Sequence, residues 1–141
     1  MEEAKVKAIL KQVVNISDED WATFKTGSAG VYKFFTRIDE VVKTRIIAEV
    51  IESRYCAAGI KKGQQIVIEG GALVPEKCTA PLCMRALGPI TGFVNTILEK
   101  IVGGEDPNDR VFMVAECLDP GLEAGGLGKV KFRVRVEPIA Y

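Results

Sequence analysis

The sequence predicts an α+β fold: a small antiparallel sheet of about four strands, a helical pair inserted between the second and third strands, and a helical extension in front. Three observations predict it. Residues 1–42 carry apolar side chains at helical spacing, and from residue 43 the text changes to β-branched runs separated by glycine-rich turns. One long amphipathic stretch, 90–101, divides those runs two and two. The 141 residues, 48% of them hydrophobic, suffice for one core without staples. The change of period at 42/43 divides the chain into an N-terminal extension, 1–42, for packing or oligomerisation, and a cysteine-containing α+β domain, 43–141.

In the extension, Val6, Ile9, Leu10, Val13 and Val14 fall at i, i+3, i+4, i+7 and i+8, the stripe of an amphipathic helix that ends at Asn15. Ser17 then reads as an N-cap, with Asp18, Glu19 and Asp20 where the positive helix end favours carboxylates. That second helix carries Trp21 and Phe24 and stops near Gly27. Val31, Phe35, Ile38 and Val42 fit a helical face, although 31–38 also reads as an aromatic strand; helix is the expectation.

Residues 44–53 and 64–69 are rich in β-branched side chains and predict two antiparallel strands joined across 56–63, the second closed by Gly70-Gly71. Thr79 is the expected cap of the following helix, with Pro81 in its first turn. Gly88-Pro89 is expected to break that region into a short and a long helix. The long one presents Ile90, Phe93, Val94, Ile97, Leu98 and Ile101 on one side and ends at Gly103-Gly104. Strands are expected at 111–116 and 129–136, with a flexible connection between them.

Charge and composition exclude several classes of function. Nineteen basic and nineteen acidic side chains leave no net charge, so the surplus of Lys and Arg that phosphate binding needs is missing, and no nucleic-acid partner is expected. No apolar run approaches the roughly 18–20 residues that span a bilayer, and the acidic, amphipathic start is unlike a secretory signal. A cytoplasmic protein with no membrane partner is the expectation. The chain contains no histidine, which removes every mechanism built on imidazole.

The four cysteines, Cys56, Cys78, Cys83 and Cys117, are the chemical lead. None lies inside a predicted strand or long helix. If the hairpin turn, the helix start and the end of the third strand meet at one rim, four thiolates converge, and such a set without imidazole suits zinc or an iron–sulfur cluster. Two other readings stand beside this one. Cysteines often serve as small buried hydrophobes. Alternatively Cys83, in the expected first turn of a helix and near Lys77 and Arg85, is the nucleophile of a thiol-dependent enzyme, because helix amides and cations stabilise a thiolate.

The cysteine contexts resemble a family of small prokaryotic proteins without an assigned reaction. Its members carry a strand followed by Cys-Ala-x-Gly-His, then Lys-x-Gly-Asp, then Ile-Cys-Pro-Glu-Ala at a helix start and Ala-Cys-Pro-Asp-Pro before a last strand. The matching text here is Cys56-Ala57-Ala58-Gly59-Ile60, Lys62-Gly63-Gln64, Leu82-Cys83-Met84-Arg85-Ala86 and Glu116-Cys117-Leu118-Asp119-Pro120, within residues 43–138. Ile60 stands in place of the histidine, and Met84 and Leu118 in place of the prolines. The resemblance implies a cysteine site rather than an activity, with Cys78 as a candidate for the ligand lost at Ile60.

Lys129, Lys131, Arg133 and Arg135 alternate with Val130, Phe132, Val134 and Val136, which puts four cations on one sheet face. Lys131 and Arg133 are therefore candidates for docking an acidic partner, against the simpler reading of a solvated face. Trp21 and Phe24 are the corresponding candidates in the aromatic-rich extension, for a homo-oligomer or a larger protein subunit. The sequence thus points to a metal- or iron–sulfur-binding accessory subunit of a larger, anaerobic enzyme. The alternatives are a metal-free structural or regulatory subunit and a thiol enzyme using Cys83.

Overall fold

The computed structural model describes residues 2–140 and has the predicted α+β class. Four helices come first: α1 (Glu2–Val14), α2 (Asp18–Gly27), α3 (Ala29–Thr36) and α4 (Ile38–Val41). Ser17 caps α2 as expected, its hydroxyl accepting the Asp20 N–H at 3.0 Å. Asn15 ends α1 in the left-handed region, φ 52°, which asparagine tolerates. Residues 28–42 form α3 and α4 with a turn at Arg37, and no strand.

The strands are β1 (Thr44–Arg54), β2 (Gln65–Glu69), β3 (Ala72–Leu73), β4 (Val114–Glu116) and β5 (Lys129–Pro138), in the antiparallel order β3-β2-β1-β5-β4. The sheet thus has five strands rather than about four. The additional strand, β3, arises because Gly70 (φ 59°) and Gly71 (φ 82°) both adopt positive φ, as a two-residue hairpin turn requires. Its two residues give no periodic signal.

The expected helical pair is one helix, α5 (Met84–Val102), packed on a single face of the sheet. Ala86, Ile90, Val94, Ile97 and Ile101 pack into the core against Ile46, Ala48, Ile66, Ile68, Phe132 and Val134. Pro89 sits inside α5 without breaking it. Proline cannot donate to the carbonyl four residues back, and that carbonyl, of Arg85, accepts the Leu118 N–H at 3.1 Å instead. The proline therefore frees an acceptor that fastens the segment after β4 to the helix. Thr79 is not the cap of α5. Its hydroxyl accepts the Gln65 N–H at 2.8 Å, extending the β2 edge, and Cys83 occupies the N-cap position.

The third expected strand, 111–116, is shortened to β4. Asn108 and Arg110 explain the loss. The Asn108 side chain exchanges two hydrogen bonds with Val136, at 2.8 and 2.9 Å, and the Arg110 guanidinium donates to the carbonyls of Pro107 and Val134. Side chains thus occupy backbone groups of β5 that a longer strand would pair.

The extension has a core of its own, formed by Val6, Leu10 and Trp21 with Ile16, Phe24, Tyr32 and Phe35 around them. Trp21 is 6% exposed and stacks near Phe24 and Tyr32, with ring centroids 5.8 and 6.4 Å away. Trp21 and Phe24, expected to face a partner, are instead turned inwards, because three short helices bury their aromatics against one another. Phe34, Ile38 and Val41 join the sheet's core and anchor the extension there.

Candidate functional site

Three of the four cysteines meet. Cys56, Cys83 and Cys117 line one cavity of about 50 Å³, together with Ile60, Arg85, Ala86 and Asp119. Each sulfur comes from a different junction. Cys56 follows β1, Cys83 is the N-cap residue of α5, and Cys117 is the first residue past β4. Gly128, at the entry to β5, closes the wall.

Local backbone places each one. Tyr55 takes a left-handed φ of 51°, uncommon for an aromatic residue, and turns the chain so that Cys56 starts a tight loop. The Cys56 carbonyl accepts the Gly59 N–H at 3.1 Å, and the Ser53 hydroxyl donates to the Ile60 carbonyl at 2.6 Å, closing that loop. Cys83 has no side-chain cap bond, and its carbonyl accepts from Ala86 and Leu87 at 3.0 and 2.9 Å. The Cys117 N–H donates to Val130 at 3.0 Å, a last rung beyond β4.

Cys78 is not at this cavity. Its sulfur accepts the Val67 N–H at 3.2 Å and donates to the Val74 carbonyl at 3.3 Å. The expected convergence of four thiolates is corrected to three: the chain between β3 and α5 lies along the β2 edge, and Cys78 is held there. Ile60, at the histidine position of the resembled motif, does line the cavity and is buried. Among the described residues, no three Cys, His, Asp or Glu side chains stand at metal-holding spacing as placed.

Asp119 was not singled out by the sequence as a site residue, and it organises the cavity's outer side. Its carboxylate accepts the N–H groups of Gly121, Leu127 and Gly128 at 3.0, 2.9 and 2.8 Å. The connection before β5, expected to be flexible, is thereby closed around one side chain. The available signal was an aspartate two residues ahead of a glycine, which favours a side-chain-to-backbone turn. These N–H bonds, that of Gly121 foremost, hold the Asp119 carboxyl below the usual carboxylate range. A lowered folded value contributes stability above the unfolded value of about 3.9, and that contribution is lost as pH falls through the folded value. Asp119→Asn should therefore be less stable than the wild type at pH 6, with the gap narrowing below about pH 4. Thermal midpoints across that range check this, and a constant gap would contradict it.

The cationic row of β5 is laced with acids. Lys131 lies 3.4 Å from Glu52 and 3.5 Å from Glu116, and Arg135 lies 2.9 Å from Glu137 and 3.7 Å from Glu49. Lys131 is thus not a free docking cation; Glu52 foremost, then Glu116, raises its pKa. Arg133 is exposed, and among the described residues it has no ion pair.

Comparison with protein-family models, curated proteins and solved structures yields no match. Among the described residues, no helix is long and apolar enough to cross a membrane.

Proposed function

We propose that the chain holds a soft metal ion or an iron–sulfur cluster through Cys56, Cys83 and Cys117, and serves in the cytoplasm as a small accessory subunit of a larger, anaerobic enzyme. The observation that carries this reading is that three cysteines, from three sequence-distant junctions, line one small cavity. Thiolates without imidazole favour zinc, copper(I) or iron–sulfur centres over hard cations. Zinc–sulfur bonds are about 2.3 Å, so binding draws the three sulfurs inwards. In this reading the closure is made by side-chain rotation at three junction residues, leaving the sheet and α5 in place. The uncapped N-terminus of α5 and Arg85 beside it would favour the negative charge that thiolate ligation brings. With three protein ligands the fourth position is left to an outside group, the pattern of an open site rather than a closed structural one.

The test is the metal and acid-labile sulfide content of protein purified without oxygen. Iron with matching sulfide, or zinc near one per chain, supports the reading. Metal-free, colourless, well-folded protein overturns it. In that case selective alkylation of Cys83 at neutral pH would favour the thiol enzyme, and unreactive cysteines the metal-free subunit.

A further inference from the structure

The β4 edge of the sheet ends in backbone that nothing among the described residues pairs. The Val134 N–H donates to Met113 at 2.8 Å, the Cys117 N–H donates to Val130, and Ala115 stands opposite Phe132. Residues 113, 115 and 117 therefore turn their backbone groups towards β5. By the alternation of an antiparallel ladder, Val114 and Glu116 turn theirs outwards. Apolar side chains flank this edge at both ends: Val111 is 89% exposed, Phe112 76% and Leu118 67%. An open apolar groove of about 950 Å³ runs between α5 and this segment, with Phe93 and Ala115 on its walls and Phe112 at its mouth. The edge carries neither a proline nor a lysine, two of the devices that keep sheet edges apart.

We propose that β4 pairs antiparallel with β4 of a second copy across a two-fold axis at Ala115, joining two five-stranded sheets into one. The register follows from the backbone. The outward groups of Val114 meet those of Glu116 in the second copy, which makes both pairs hydrogen-bonded pairs. The same axis brings the Phe112 end of each chain to the Leu118 end of the other, so both exposed apolar ends are covered. The interface is isologous, as a closed dimer requires.

Charge selects a second copy over an unrelated strand. Val114 lies beside Arg133, and Glu116 beside Lys131, on the face away from α5. In the paired sheet, Glu116 of the second copy falls on the far side of Val114 from Arg133, about 10 Å away by strand spacing and within the joint reach of the two side chains. Arg133 is exposed and makes no ion pair among the described residues, since Glu49, opposite it on β1, lies with Arg135 at 3.7 Å; pairing supplies a carboxylate to Arg133 on each side of the axis.

The experiment is the solution mass of the full chain by sedimentation, at micromolar concentration. The expected mass is twice the 15.3 kDa of one chain. Val114→Pro deletes an outward N–H, keeps the ladder to β5, and should give a folded monomer. Glu116→Arg and Arg133→Glu, each alone, set like charges opposite one another twice and should be monomeric. Mixed, the two variants should restore a dimer, since both cross-axis pairs are then attractive. A monomeric wild type, a Val114→Pro variant that stays dimeric, or a mixture that stays monomeric would overturn the proposal, the first of these leaving the groove to a different occupant.

Discussion

Phe132→Ala should lower the unfolding free energy by about 3–5 kcal/mol, the range for removing a large aromatic from a well-packed core. Phe132 is 1% exposed and sits on β5 between Val50 of β1 and Ala115 of β4, under α5. Its neighbours make the site rigid. Ala48, Ala86 and Ala115 have no side chain that swings in to fill the space, and the strands on both sides are fixed by the ladder. Most of the lost volume therefore stays as a cavity, which adds to the lost transfer energy. Domains of this size have only about 5–15 kcal/mol in hand, so the variant should be near the limit of folding. Urea denaturation followed by circular dichroism measures the change. A loss below about 1 kcal/mol would mean that α5 does not press on this residue as described.

The second large effect is expected at Gly128. A Cβ added there would fall 2.8 Å from the Tyr55 carbonyl oxygen and 3.2 Å from Cys56 Cα, and both neighbours are backbone. No side-chain rotation relieves this contact. Tyr55 has no slack either, since it is already held at φ 51°. Gly128→Ala should therefore cost about 1–3 kcal/mol, the usual penalty for overpacking. It should also displace Cys56 from Cys83 and Cys117. The Gly128 N–H is one of the three that Asp119 holds, so the same shift loosens the loop that walls the cavity. Denaturation gives the stability term, and metal retained after gel filtration gives the consequence for the site. Full stability together with full metal content would show that the 55–56 turn is free to move.

Much of this arrangement was legible in the sequence. Ser17 announced its helix because a hydroxyl before three acids is a local, short-range signal. The strands of β1, β2 and β5 are visible in their β-branched runs, whereas the position of the cysteines at element ends made a shared rim only a conditional expectation, and for all four of them. What was missed depends on partners distant in sequence. Pro89 looks like a helix breaker until Leu118 is seen to take up the carbonyl it frees. Residues 111–113 look like strand until Asn108 and Arg110 are seen to hold that part of β5. Cys78 looked equivalent to the other cysteines, because composition does not tell a thiol bonded to the β2 edge from one at a cavity wall. Trp21 and Phe24 looked outward because the helices that bury them form their own small core, which no periodicity announces.

The proposed site consists of three particular cysteines, Cys56, Cys83 and Cys117. The most direct test is metal content, under anaerobic purification, of four single variants: Cys56→Ser, Cys83→Ser, Cys117→Ser and Cys78→Ser. The first three should lose most of the bound metal while remaining folded, and Cys78→Ser should keep it at the wild-type level. Loss at Cys78→Ser equal to that at the others, or retention in all four, would contradict this assignment.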